Sequence, residues 1–234
     1  MNEQFNLEAW LSAIMSGLRS AFGNRLLFVA HAGSWVRGEA GPSSDIDINM
    51  VLDEVRPEDI AAYRRILAGM PFREKACGFI CGREEMRAWP RHELFHFMNG
   101  CNIIHGSLDG IVLPPTKAEV AEYIRINASG VLHFARHTMV YSNDLPGMAE
   151  GLAGVYKAAF FMLQAKLFLE TGKYVPSKKA LAPLLEGLDR EVFSTASRWG
   201  ELAGDRAKRP EHYFSQLADW SSALLLLADR HSRA

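Results

Sequence analysis

The sequence predicts an α+β fold: an N-terminal mixed sheet with flanking helices over residues 1–114, followed by an all-helical bundle over residues 115–234. Three observations predict it. Short apolar runs with strand character alternate with helical stretches as far as His105. Beyond residue 117 the apolar positions recur only at helical spacing, and no strand pattern occurs. Between the two parts, Leu113-Pro114-Pro115 interrupts every periodicity, as a boundary does, because proline removes a backbone donor and cannot continue either element. A chain of 234 residues, 48% of them hydrophobic, can fill two modest cores.

Taken in order, Leu7, Trp10, Leu11, Ile14, Met15 and Leu18 define an amphipathic helix over residues 6–22 that should cover one face of the sheet. Phe28 to Ala32 reads as a strand, Gly33-Ser34 as a turn, Pro42-Ser43-Ser44 as a loop, and Asp45 to Leu52 alternates as a second strand. Pro57-Glu58-Asp59 starts a helix that runs to Leu67 and stops at Gly69-Met70-Pro71. A third strand is expected from Arg73 to Cys81, then a short helix from Gly82 through Met86, a helical stretch from Arg91 to His96, and a strand from Cys101 to His105 that ends in a Gly106 turn. The second part should hold helices over Lys117–Tyr141, Met148–Thr171, Lys178–Leu188, Arg190–Leu202 and Glu211–Arg230, packed through long apolar stripes. Gly172 stops the second of these, Ser177 caps the next, and Phe160, Phe161 and Phe168 lie at core spacing.

Charge and cysteine content narrow the function. Lys and Arg number 26 against 27 Asp and Glu, a net charge of −1, so no general positive field exists to hold a nucleic acid, and a small or proteinaceous partner fits better. Cys77, Cys81 and Cys101 follow neither a disulfide framework nor zinc-ligand spacing, and are expected to be reduced core residues of a cytoplasmic protein. The first residues lack a basic region followed by an apolar one, and no apolar run is long enough to span a bilayer, so no membrane association is expected.

The chemistry concentrates between Ala32 and Ile48. Backbone N–H groups at Gly33-Ser34 can face an anion, with Arg37 just beyond. Asp45 and Asp47, two positions apart on a strand, point to one face. Neighbouring carboxylates repel unless a cation bridges them, and the expected cation is Mg²⁺, a hard ion that takes carboxylate and phosphate oxygens together. Either feature alone is commonplace; strand, turn and strand in this order make the combination specific.

Gly33-Ser34, a gap from residue 35 to residue 44, then Asp45-Ile46-Asp47-Ile48 resembles the signature of the DNA polymerase β-like nucleotidyltransferase superfamily. The wording Gly-Ser-Trp-Val-Arg-Gly-Glu-Ala followed by Ser-Asp-Ile-Asp is closest to its minimal and aminoglycoside adenylyltransferase-like branches. The resemblance covers the first half of the chain and implies a nucleotidyltransferase fold there. It implies that Gly33 and Ser34, with Arg37 and Ser44, contact a nucleoside triphosphate, ATP by default, and that Asp45 and Asp47 are Mg²⁺ ligands and catalytic residues. The activity implied is transfer of AMP to a hydroxyl of a small antibiotic-like molecule or a protein, with release of pyrophosphate. Its helical part is similar to the acceptor-lining domain of antibiotic-modifying adenylyltransferases, and to the HEPN-type helical domains paired with minimal nucleotidyltransferases; a homodimer is compatible with either. The alternative is a nucleotide-binding regulatory protein of the same fold with little or no turnover.

One departure stands out. The family adds a third carboxylate on the next strand, which by analogy falls near Ala76 to Gly78, where this chain has none. Glu74 is the nearest substitute; it serves only if a register slip or bulge brings it in, and is otherwise a solvated charge. The gap admits a one-metal enzyme, a base from elsewhere, or binding without turnover. His92, Glu93 and His96, or Glu150, Tyr156, Lys157 and Lys166 of the helical part, are other sources of a base, and the sequence singles out none. Arg37 either balances phosphate charge or is solvated, and Trp35 either stacks on a nucleobase or packs against the first helix. His31 is expected to be a strand residue satisfied by a backbone partner.

Overall fold

The structure, a computed structural model, describes residues 5–232. The chain divides into two compact units, residues 1–90 with 97–114, and residues 91–96 with 115–234.

In the first unit, helix α1 (Leu7–Phe22) begins where Asn6 Oδ1 accepts a hydrogen bond from the Ala9 N–H at 3.0 Å, satisfying a donor that has no partner within the helix. Its buried stripe is Trp10, Ile14, Met15, Leu18 and Phe22. There follow β1 (Leu26–Ala32), α2 (Gly33–Val36), β2 (Ile46–Leu52), α3 (Pro57–Ala68), β3 (Ala76–Cys77), β4 (Ile80–Gly82), α4 (Arg83–Arg87), α5 (Leu94–Asn99), whose first three residues fall in the second unit, and β5 (Cys101–Gly106). The sheet runs β3-β2-β1-β5, with β4 also on β2. β1 is antiparallel to β2 and β5, while β3 and β4 are parallel to β2, so the sheet is mixed, as the sequence predicts.

Alternation along β1 and β2 sorts the two faces. Val29, Ile46, Ile48, Met50 and Leu52 join the α1 stripe and Tyr63 and Ile66 of α3 in one core. Asp47 and Asn49 lie between those positions and face the other side. α3 is fixed at its start by Arg25, whose Nη1 and Nη2 donate to Asp59 at 2.8 and 2.9 Å and whose Nε donates to Asp53 at 3.0 Å. That guanidinium is the main cause holding the Asp59 carboxyl below its usual range.

The expected third strand is broken. Arg73–Lys75 form a single 3-10 turn, and only Ala76–Cys77 and Ile80–Gly82 pair with β2. Gly78 causes the break: it adopts φ 117, and a Cβ there would stand 2.1 Å from the Ile48 carbonyl oxygen. Asn49 stitches the gap, its Oδ1 accepting from the Phe79 N–H at 3.3 Å while the Met50 N–H donates to the Phe79 carbonyl at 3.0 Å.

In the second unit, α6 (Lys117–Tyr141) is opened by a reciprocal cap between Thr116 and Glu119, and Arg91 pairs with Glu119. α7 (Leu145–Glu150), α8 (Ala153–Thr171), α9 (Lys178–Leu181), α10 (Gly187–Ser197), α11 (Ala203–Lys208) and α12 (Pro210–Ser232) complete a helical bundle in which α6 packs along α12 and α8. Its core includes Ile124, Tyr156, Leu163, Phe214, Leu217 and Trp220, with Phe160 buried and Phe161 and Phe168 packed against it. The boundaries differ from the periodicity in several places, among them the end of the expected Arg190–Leu202 helix, which stops at Ser197 and is followed by a 3-10 segment at Trp199–Leu202. The expected Met148–Thr171 helix is α7 and α8, parted at Gly151-Leu152. The next one ends in a 3-10 turn at Ala182–Leu184, where Pro183 stands, and α10 restarts at Gly187. α11 is short and polar and left no apolar pattern to read. Among the described residues no helix is long and apolar enough to cross a membrane.

Candidate functional site

β1 and β2 set the site. Ala32 and Asp47 are register partners across the antiparallel pair, so the turn after β1 emerges beside the Asp47 side chain. Gly33 follows at φ 80, and a Cβ on it would lie 1.9 Å from Asp47 Oδ2. Glycine is therefore required twice, by its backbone angle and by the carboxylate lying against it. Gly33–Val36 make one helical turn, closed by Glu39 N–H to Ser34 O at 2.9 Å and Gly38 N–H to Trp35 O at 3.2 Å. Its leading N–H groups precede the first intrahelical acceptor and are available to an anion.

Asp45 is exposed, one residue before β2, and Asp47 is half-buried on it. Neither is ion-paired among the described residues. Cys77 joins them, as the parallel register partner of Asp47. Desolvation pushes its thiol up, the Gly78 backbone opposes this, and the nearby Asp47 and Asp45 carboxylates add to the rise. The position where a third acid was sought thus holds a thiol. Sequence reasoning missed it by taking all three cysteines as core: Cys81 is buried, but Cys77 is exposed and Cys101 half-buried. The strand pairing, invisible in the sequence, was the signal needed.

Among the described residues no cluster of three or more His, Cys, Asp or Glu side chains could hold a metal ion by itself. Two uncompensated carboxylates beside free N–H donors still fit a hard cation that draws its remaining ligands from water and a bound phosphate.

The other predicted residues are spread more widely. Arg37 Nε donates to Glu39 Oε2 at 3.0 Å, both side chains 16% exposed, so its charge is already matched. Ser44 closes its own loop: its Oγ accepts from the Gly41 N–H at 2.9 Å, and its N–H donates to the Gly41 carbonyl at 3.0 Å. Glu74 is exposed in the 3-10 turn before β3, outside the strand, and the break at Gly78 lies after it. Trp35 takes the packing alternative, its ring 5.3 Å from Phe5 and against the α1 core. His31 alternates with Val29 onto the core face; burial lowers its pKa and Asp47 opposes that, while its Nε2 has no hydrogen-bond partner among the described residues, contrary to expectation.

In the second unit, His92 lies 3.5 Å from Glu93, and His96 is enclosed by aromatic rings. Glu150 accepts from Arg206 at 2.8 Å, Tyr156 donates to Tyr213 O and Gln216 Oε1 at 2.9 and 2.8 Å, and Lys166 pairs with Asp189. Lys157 lines a cavity of about 270 Å³ between α8, α9 and α10.

No protein-family model and no curated protein matches the sequence. Among solved structures, the chain matches the crystal structure of spectinomycin adenyltransferase AAD(9) from Enterococcus faecialis with ATP and spectinomycin, at 16% identity and a TM-score of 0.56, over 93% of this chain and 100% of that one. The two chains share a fold. At this identity the likeness concerns architecture, and the chemistry must be argued from the residues.

Proposed function

We propose that the chain is a nucleotidyltransferase that moves AMP from ATP to a hydroxyl of a small molecule or a protein. The observation that carries this reading is the pair of uncompensated carboxylates, Asp45 and Asp47, set against the Gly33 turn. The fold shared with an adenylyltransferase whose crystal structure holds ATP and spectinomycin supports it. In this reading Asp45 and Asp47 hold Mg²⁺, while the N–H groups of the Gly33–Val36 turn and Ser34 receive phosphate oxygens. When bound, Mg²⁺ neutralises phosphate charge. The acceptor oxygen bonds to the α-phosphorus, the bond to the bridging oxygen breaks, pyrophosphate leaves, and the hydroxyl proton passes to a base. Positioning and charge compensation do most of the work in such a transfer. Glu74 stays outside the metal set because it ends in an exposed turn.

A second reading, nucleotide binding without turnover, draws on Cys77: a thiol, not a carboxylate, stands in register with Asp47. The test is transfer of label from α-³²P ATP, with pyrophosphate release, across aminoglycoside, lincosamide and protein acceptors. Transfer that needs one acceptor and is lost in Asp45→Ala/Asp47→Ala supports the transferase. Binding of Mg²⁺ and ATP with no transfer to any acceptor supports the second reading, and transfer that survives both substitutions overturns the site.

A further inference from the structure

One face of α3 is left uncovered by the core. Tyr63 and Ile66 pack toward α1, whereas Ala61, Arg64, Arg65 and Ala68 fall at i, i+3, i+4 and i+7 on the opposite face. With Leu67, and with Arg73 from the following turn, they line a cavity of about 390 Å³. The lining is mostly apolar, and its charged residues are the three arginines.

Several arginines of the unit are ion-paired, while Arg19 and Arg83, like these three, make no ion pair among the described residues. Arg25, Arg37, Arg56 and Arg87 each meet a carboxylate. Arg64, Arg65 and Arg73 make no ion pair among the described residues, although Glu58 opens the same helix and Glu74 follows Arg73. Arg73 is also held in place. Phe72 before it adopts a left-handed conformation, φ 53 and ψ 38, which costs a non-glycine residue about 1 kcal/mol or more. Trp10 Nε1 donates to Pro71 O at 2.8 Å, and the Phe5 ring meets Phe72 edge-on at 5.4 Å, so packing enforces that turn.

We propose that Arg64, Arg65 and Arg73 form an anion site, separate from Asp45 and Asp47, that takes a small polyphosphate. Three like charges around one cavity repel until a counter-anion enters. A carboxylate occupies one guanidinium fork, whereas linked phosphates offer oxygens to several at once. The volume lies in the range of small-ligand sites.

Calorimetric titration with inorganic tripolyphosphate, in EDTA so that no divalent cation assists, tests the proposal. Saturable one-site binding is expected in the wild type and in Asp45→Ala/Asp47→Ala, with affinity reduced at least about tenfold in Arg64→Ala/Arg65→Ala/Arg73→Ala. All three substituted side chains are exposed, and thermal denaturation checks that the variant is folded. Undiminished affinity in the arginine variant, no saturation in the wild type, equal binding of sulfate at matched ionic strength, or tighter binding of a single-stranded RNA through the same arginines would each overturn it. Loss of binding only in the aspartate variant would assign the anion to the other site and overturn it as well. Because the titration needs neither metal nor acceptor, failure of the transferase reading leaves its outcome unchanged.

Discussion

His96 couples the stability of the second unit to pH. Both ring nitrogens are buried, and the rings of Phe95, Tyr123 and Phe161 lie 4.8, 4.7 and 5.2 Å away. Burial brings its pKa down to about 3, opposed by the Phe161 backbone. The folded state therefore holds His96 neutral, while the unfolded chain protonates it near its ordinary value of about 6.5. Its contribution is intact above that value and is lost as pH falls toward the folded one. At about pH 5 the unfolded chain carries the proton and the folded chain does not, a gap of about 1.5 pH units, or about 2 kcal/mol. Urea denaturation from about pH 7.5 to about pH 5, followed by tryptophan fluorescence, measures it. His96→Phe keeps the aromatic contacts and removes the titrating nitrogens. The wild type should lose about 2 kcal/mol more than the variant over this range. The other histidines are common to both proteins and cancel in the difference. Parallel stability curves would refute the argument.

Three further outcomes follow. Gly33→Ala should abolish binding of Mg²⁺ and ATP while leaving the circular dichroism spectrum intact, because the new methyl displaces the Asp47 carboxylate; wild-type affinity in that variant would contradict the site geometry. Gly78→Ala should destabilise the first unit by about 3 kcal/mol or more in chemical denaturation, since its Cβ meets the Ile48 backbone and its φ is closed to alanine. Tyr156→Phe should cost about 1–3 kcal/mol, the loss of a buried hydroxyl that joins the Tyr213 carbonyl to Gln216, with no change in nucleotide affinity.

What could be read in the sequence was local. The α1 stripe, the alternation of β2 and the long run Lys117–Tyr141 each repeat a period many times, and the structure keeps them within a residue or so. Gly33 and Asp47 could be placed together because a strand, a turn and a returning strand force antiparallel neighbours. The third strand failed because its break depends on crowding by the Ile48 carbonyl, a contact 30 residues away in sequence that leaves no periodic trace. Cys77 escaped notice for the same reason: only the pairing of β3 with β2 brings it to Asp47. Glu150, Tyr156 and Lys166 stood only among several alternative sources of a base, with nothing in the sequence to choose between them; each is engaged by a partner at least 23 residues distant. Helix breaks one or two residues long, such as Gly151-Leu152, leave the apolar stripe on either side in phase.

The central claim is that Asp45, Asp47 and the Gly33 turn together bind Mg²⁺ and a nucleoside triphosphate. Calorimetric titration of ATP into wild type and Asp45→Asn/Asp47→Asn, each with and without Mg²⁺, measures it most directly. The account predicts Mg²⁺-dependent binding in the wild type and loss of that dependence in the variant; equal, Mg²⁺-dependent binding in both would contradict it.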